Sequence, residues 1–250
     1  MSSETQIENV SATALWVAYY RVKETERPNP AFRDPLARIL VGERGQRLAR
    51  SMPYARVTEW IMVLRTTAID RLVEKAIAEG VNTVLNLGAG LDTRPYRLSL
   101  AKDLNWIEVD FKNIIDFKNE KLAKEKPVCN LERISMDLAN RFERVKLFSR
   151  IGSEAKNVLV LTEGLIPYLT AEAAGILAKD LSHISNFKYW IQDFHDGRIA
   201  QKTPRSFQKK LKSTPFIFPW SLLVGVFKKK RREQFDARLG YVLLKPIKVR

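Results

Sequence analysis

Four charged residues stand where chemistry is expected. Asp110 closes the apolar run WIEV, Asp137 follows ERISM, and Glu163 follows NVLVLT. Arg65 lies between Ile61 and Ile69 at four-residue spacing, on the apolar side of a helical pattern. A carboxylate at the end of a buried strand sits where α/β sheets bind ligands. The fifth feature is VLNLGAGLDTRPYRL (84–98), an apolar strand that breaks into Gly88-Ala89-Gly90 and runs on into Asp92-Thr93-Arg94. Gly88 and Gly90 let the chain turn sharply and let backbone N–H groups approach a bound molecule.

The spacing narrows the ligand. Asp110 lies 20 residues beyond Gly90, so its carboxylate can accept both hydroxyls of a ribose or cap the following helix. A dinucleotide fingerprint needs a third small residue at position 93, where the chain has Thr93. Without it a pyrophosphate is poorly accommodated, and a nucleoside lacking one, such as S-adenosylmethionine, is favoured. Asp137 can accept from an adenine amino group, or it can cap a helix. A buried Arg65 needs an anion, because desolvating a lone guanidinium is costly. That anion is either a protein carboxylate or the carboxylate of the cofactor's methionine portion. Glu163 can hold the cofactor's ammonium or a water beside it, which places Pro167 and Tyr168 near a reacting methyl. Asp92 and Glu163 also suggest a carboxylate pair. His195, in QDFHD, is the one imidazole placed to deprotonate a hydroxyl, unless it only lines the cleft. Tyr168 and His195 are thus the catalytic candidates. No metal-ligand set is expected, since Cys129 is the single cysteine and His183 and His195 are the only histidines.

The elements that must position these groups follow from periodicity and breakers. Helices are expected at 11–24 and 57–79, the latter stopped by Gly80. Asp34-Pro35 reads as an N-cap with proline at the first helical position. Strands are expected at 83–88, 105–110, 132–137, 157–164 and 187–194, with helices at 94–102, 111–124 and 170–184, the last capped by Thr170. Alternating strands and helices predict a mostly parallel sheet with helices on both faces. PFIFPW, LLVGVF and YVLLKPIKV in the tail fit an antiparallel pair finishing the sheet. Residues 1–56 read as an N-terminal helical extension and 57–250 as the cofactor-binding domain with a short basic C-terminal region.

Composition sets wider bounds. The chain has 250 residues, 45% of them hydrophobic, which is an ordinary globular balance. Its polar N-terminus, the absence of a long apolar run and the single cysteine lead to the expectation of a cytoplasmic protein. The net charge is +15, and 198–232 holds eleven Lys and Arg with no Asp or Glu. A basic face attracts acidic small molecules, nucleic acid or anionic lipid, or simply solubilises the protein.

The motifs resemble the leucine carboxyl methyltransferase family, and more closely its bacterial branch of S-adenosylmethionine-dependent O-methyltransferases. LNLGAGLDTRPYRL, WIEVDFKNIIDFKNEKL, ISMDL and VLVLTEGLIPYLTAEAAGIL carry the likeness, with ALWVAYYR and FRDPLARIL matching the N-terminal part. The resemblance implies a class I methyltransferase, Rossmann-like fold. It implies that Arg65 pairs with the methionine carboxylate, that Gly88 and Gly90 face the cofactor, that Asp110 holds the ribose, that Asp137 lies by the adenine, and that Glu163 borders the methionine end. It points to O-methylation of a carboxylate or hydroxyl on a small acceptor, and the basic segment suits an acidic one. The basic ending departs from the family pattern. An RNA-binding protein or RNA methyltransferase is the alternative, since Phe207, Phe216, Phe218 and Trp220 interleave with the charges. Peripheral contact with an anionic membrane through FPWSLLVGVFKKKRR is a further reading, against the commoner one of a core strand followed by an exposed turn.

Overall fold

The computed structural model describes residues 3–50, 55–195, 222–230, 234–236 and 241–242. Two helices open the chain, α1 (Ser3–Thr25) and α2 (Pro35–Arg50). The Asp34 side chain accepts a hydrogen bond from the Ala37 N–H (3.1 Å), so the expected cap with proline behind it is present. The long helix α3 (Ala55–Ala78) ends at Gly80, whose φ of 95° is left-handed as a helix stop requires.

The alternating part follows as β1 (Thr83–Leu87), α4 (Arg94–Arg97), β2 (Asn105–Asp110), α5 (Lys112–Lys121), β3 (Asn130–Ser135), α6 (Arg141–Glu154), β4 (Val158–Thr162), α7 (Ala171–Ser182) and β5 (Phe187–His195). Strand order is β3-β2-β1-β4-β5, all parallel. Three antiparallel strands complete the sheet. They are β6 (Leu222–Lys230) beside β5, with β7 (Gln234–Asp236) and β8 (Tyr241–Val242) both paired to β6.

Three expectations needed correction. The helix expected over 94–102 is a single turn, because Leu98 is extended (ψ 154°) and the chain leaves the helix there. Helix α6 was not anticipated. Its sequence is polar overall, yet Arg144, Leu147, Phe148 and Ile151 share one buried face, and Asn140 caps it by accepting from the Glu143 N–H. The basic run does not begin in a turn. Lys228, Lys229 and Lys230 belong to β6 and face Asp236, Phe235 and Gln234 across the ladder. PFIFPW and the whole of 198–221 lie outside the described residues.

Side-chain alternation assigns each strand's two faces to two cores. Val84, Trp106, Leu159 and Leu161 pack with Ile69, Val73 and Ala76 of α3. Leu85, Leu87, Ile107, Val109, Val158 and Val160 pack with Leu147, Phe148 and Ile151 of α6 and with Leu177 and Leu181 of α7. β1 and β4 are buried throughout, as central parallel strands must be. A third cluster joins Leu15, Ala18 and Val22 of α1 to Ala37, Leu40 and Val41 of α2, and both helices to Leu91 of the glycine loop. The N-terminal helices therefore pack against the loop that follows β1.

Candidate functional site

Strand order reverses between β1 and β4, and loops leaving their carboxyl ends cannot cover the gap between them. Loop 88–93 leaves β1, and the segment 163–169 leaves β4. Gly88 has φ 69°, a left-handed conformation that favours glycine, and a Cβ there would press on the Leu165 side chain at 3.2 Å, so the two loops approach closely at this point. Asp110, at the end of β2, bridges into the first loop. Its Oδ2 accepts from the Gly90 N–H (2.6 Å) and its Oδ1 from the Phe111 N–H (2.7 Å). Each oxygen keeps a further lone pair. Burial pushes the Asp110 carboxyl above its usual range, partly offset by those two N–H donors.

The centre of the site is a buried ion-pair cluster. Arg94 is 1% exposed. Its Nε donates to Asp70 Oδ1 (2.6 Å), and its Nη1 reaches both Asp92 Oδ2 (3.1 Å) and Glu163 Oε2 (2.7 Å). Arg97 makes a two-nitrogen contact with the Asp70 carboxylate, at 2.7 and 2.8 Å. Asp92 also accepts from the Asn86 side chain (2.8 Å) and the Arg94 N–H (3.0 Å). On the β4 side, Arg65 Nε lies 2.9 Å from Glu163 Oε1, and Arg65 Nη1 lies 2.9 Å from Asp193 Oδ2. Asp193 Oδ1 accepts from the Gly164 N–H (2.6 Å). Toward the N-terminal helices, Thr93 donates to Asp34 Oδ2 (2.6 Å), which also pairs with Arg21 Nε (2.9 Å).

The electrostatics follow from this wiring. Burial disfavours the ionised forms of Asp92, Asp70 and Glu163, but the arginines outweigh it. Arg94 leads at Asp92, Arg94 with Arg97 at Asp70, and Arg94 with Arg65 at Glu163. All three carboxyls are held below their usual range. Burial likewise lowers Arg65 and Arg94, and their carboxylate partners more than reverse it.

The expected residues fall out unevenly. Gly88, Gly90, Asp110, Arg65 and Glu163 gather at the carboxyl ends of β1, β2 and β4. Arg65 has protein carboxylates as partners, Glu163 and Asp193, while its Nη2 has no hydrogen-bond partner among the described residues. The idea of Asp92 and Glu163 as a catalytic carboxylate pair does not survive. Both share one arginine nitrogen and stay ionised, so neither is poised to trade a proton. Asp137 is exposed and does not cap α6. It forms a local turn by accepting from the Ala139 N–H (2.9 Å), and Asn140 takes the cap. Tyr168 ends a single 3-10 turn and is 51% exposed, beside the Glu163-Gly164 corner. His195 ends β5 opposite Leu222, and its side chain lies outside the described residues. The sequence gives no site role to Asp193, Asp70, Arg21 and Arg97, and shows Asp34 only as a helix cap. Asp193 carries the same signal as Asp110, an acid near the carboxyl end of a strand, two residues before His195.

Residues 14–182 match the family profile described as leucine carboxyl methyltransferase. The chain belongs to that family. Among relatives of this leucine carboxyl methyltransferase homologue, a Frankia alni protein is 33% identical over 187 residues, covering 70% of this chain and 65% of the relative. A Mycobacterium marinum protein is 31% identical over 232 residues, covering 83% of this chain and 74% of the relative. Both carry names that describe an S-adenosyl-L-methionine-dependent methyltransferase, and neither name specifies an acceptor. The chain thus spans less than two-thirds of the Frankia relative. A DUF574 family protein from Streptomyces avermitilis aligns with a TM-score of 0.43 at 15% identity, covering 80% of this chain and 81% of that one.

Proposed function

We propose that this chain is an S-adenosylmethionine-dependent O-methyltransferase that esterifies a carboxylate on a small acceptor. One observation carries the reading. In a member of this family, the glycine loop, Asp110 and the Arg65–Glu163 pair meet at the strand-order reversal. When bound, S-adenosylmethionine supplies an electrophilic methyl on a sulfonium sulfur.

The donor set present suits that molecule. Arg65 keeps Nη2 for a carboxylate, and its buried Nε has ion-pair contact without a well-aligned hydrogen bond. Glu163 and Asp193 are acceptors suited to an ammonium. Asp110 keeps lone pairs for ribose hydroxyls, and Asp137 is the exposed acceptor assigned to an adenine amino group. Gly90 offers open space, a Cβ there meeting only Ala14 at 3.8 Å.

The state of the carboxylates favours an acid as methyl acceptor. An acceptor carboxylate is ionised at neutral pH (reference pKa about 4), so positioning and desolvation suffice. A hydroxyl would need a base. The buried carboxyls at Asp92 and Glu163 are held low by arginines and are weak bases. Tyr168 is assigned to the acceptor side of the cleft, and His195 is the remaining candidate base.

The test is methyl transfer from labelled S-adenosylmethionine to a panel of carboxylic acids and phenols. A base-labile product is expected, since esters hydrolyse and aryl ethers do not. Replacing Arg65 with Ala should weaken cofactor binding by 10- to 150-fold, from about 1.5–3 kcal/mol for a hydrogen bond to a charged group. No heat of binding from the wild-type protein, with Arg65→Ala indistinguishable from it, would end the proposal.

A further inference from the structure

The buried cluster is charge-unbalanced. Its members link in sequence: Arg21 to Asp34, Asp34 to Arg97, Arg97 to Asp70, Asp70 to Arg94, Arg94 to Asp92 and Glu163, Glu163 to Arg65, Arg65 to Asp193. Among the described residues that makes four arginines against five carboxylates. Pairing each arginine with a partner gives Arg21–Asp34, Arg97–Asp70, Arg94–Asp92 and Arg65–Glu163, at 2.7–3.1 Å. Asp193 is the fifth carboxylate, and it shares Arg65 with Glu163. It is 1% exposed, and its two oxygens are fixed by Arg65 Nη1 and the Gly164 N–H, so it cannot swing out to water. The neighbouring cation Lys118 does not cancel it, because Lys118 pairs with Glu108 at 2.8 Å. Asp110 adds a further carboxylate at the loop, and Arg133 joins Lys118 as a partner of Glu108.

A buried net negative charge is costly unless a bound molecule neutralises it. S-adenosylmethionine carries an ammonium, a carboxylate and a sulfonium, a net of +1. S-adenosylhomocysteine, its product, is the same molecule without the methyl and has no net charge. We propose that the surplus carboxylate at Asp193 makes the site discriminate the sulfonium donor from its neutral thioether product. Asp193 is then a specificity-determining residue, and the loss of charge at sulfur on methyl transfer weakens retention of the product. This inference rests on the cofactor reading above.

Direct titration calorimetry with S-adenosylmethionine and with S-adenosylhomocysteine tests it. The wild-type chain is compared with Asp193→Asn, Asp193→Glu and Arg97→Gln, each checked for native circular dichroism. The two ligands share every group but the methyl and its charge, so their affinity ratio cancels a loss of shape that weakens both. A unit charge within about 10 Å at an effective dielectric near 20 moves a binding constant on the order of tenfold. Asp193→Asn should therefore shift the ratio about tenfold against the donor. Asp193→Glu should preserve the ratio. Arg97→Gln, which leaves Asp70 paired to Arg94 and enlarges the surplus, should shift the ratio toward the donor. A ratio unmoved in both Asp193→Asn and Arg97→Gln overturns the inference and leaves the cofactor reading standing. Failure of both ligands to bind the wild type overturns the two together.

Discussion

Removal of Arg94 should expose how the site is held together. Its guanidinium serves three carboxylates, Asp70, Asp92 and Glu163, and it is almost fully buried. In Arg94→Met the apolar stem survives and the charge is lost. Asp70 retains Arg97, and Glu163 retains Arg65. Asp92 retains only the Asn86 amide and a backbone N–H. One carboxylate is thus left buried without a cation, a change that typically costs about 3–5 kcal/mol. The pH dependence supplies the sharper check. In the wild type, Asp92, Asp70 and Glu163 have depressed values, so their stabilising contribution is present above the unfolded-state pKa of about 4 and is lost as pH falls through the folded values. In Arg94→Met only Lys118, Arg97 and Arg21 still oppose burial at Asp92, so that residue takes up a proton at a higher pH than in the wild type. The difference between the two proteins should be largest near pH 7 and shrink on acidification. Urea unfolding followed by circular dichroism at pH 7 and pH 3 measures it. Arg94→Lys should not rescue, because an ammonium cannot reproduce the separate Nε and Nη1 contacts. A cost below about 0.5 kcal/mol, in the range of ordinary surface substitutions, or one independent of pH, would refute the reasoning.

Three further expectations concern the loops. Cofactor affinity should fall as pH drops through the raised Asp110 value, because the protonated carboxyl gives up an acceptor, and Asp110→Asn should bind weakly with a flat profile in pH-dependent calorimetry. Thr93→Val keeps the shape and removes the donor to Asp34 Oδ2, which should lower stability by about 0.5–1.5 kcal/mol in thermal unfolding. Gly88→Ala places a Cβ 3.2 Å from Leu165 at φ 69°, and the left-handed backbone alone should cost roughly 1–2 kcal/mol, read as a lowered urea midpoint.

Much of the architecture was legible in the chain. The β2 boundaries, 105–110, came directly from an apolar run ending in an acid, and the caps at Asp34 and Thr170 from residue type and the element behind them. Local chemistry decides such features, so local sequence reports them. Helix α6 escaped notice because its buried face includes Arg144, whose Nη2 pairs with Asp180 of α7 (2.6 Å), and a charged residue hides an apolar stripe.

The sequence by itself determined which groups stand at strand ends. Continuous apolar runs and glycine breakers place Gly88, Gly90, Asp110 and Glu163 without reference to any distant residue. Only the tertiary structure decided what those groups do to one another. Arg65 reaches Asp193 across 128 positions, Arg94 reaches Glu163 across 69, and Thr93 reaches Asp34 across 59. A carboxylate acquires its protonation behaviour from the charges within a few ångströms of it, and no spacing in the chain lists those neighbours. The residue that substitutes for a third glycine therefore had two meanings. At the level of sequence, Thr93 argued against a pyrophosphate. In the folded protein, its hydroxyl ties the loop to the N-terminal helices.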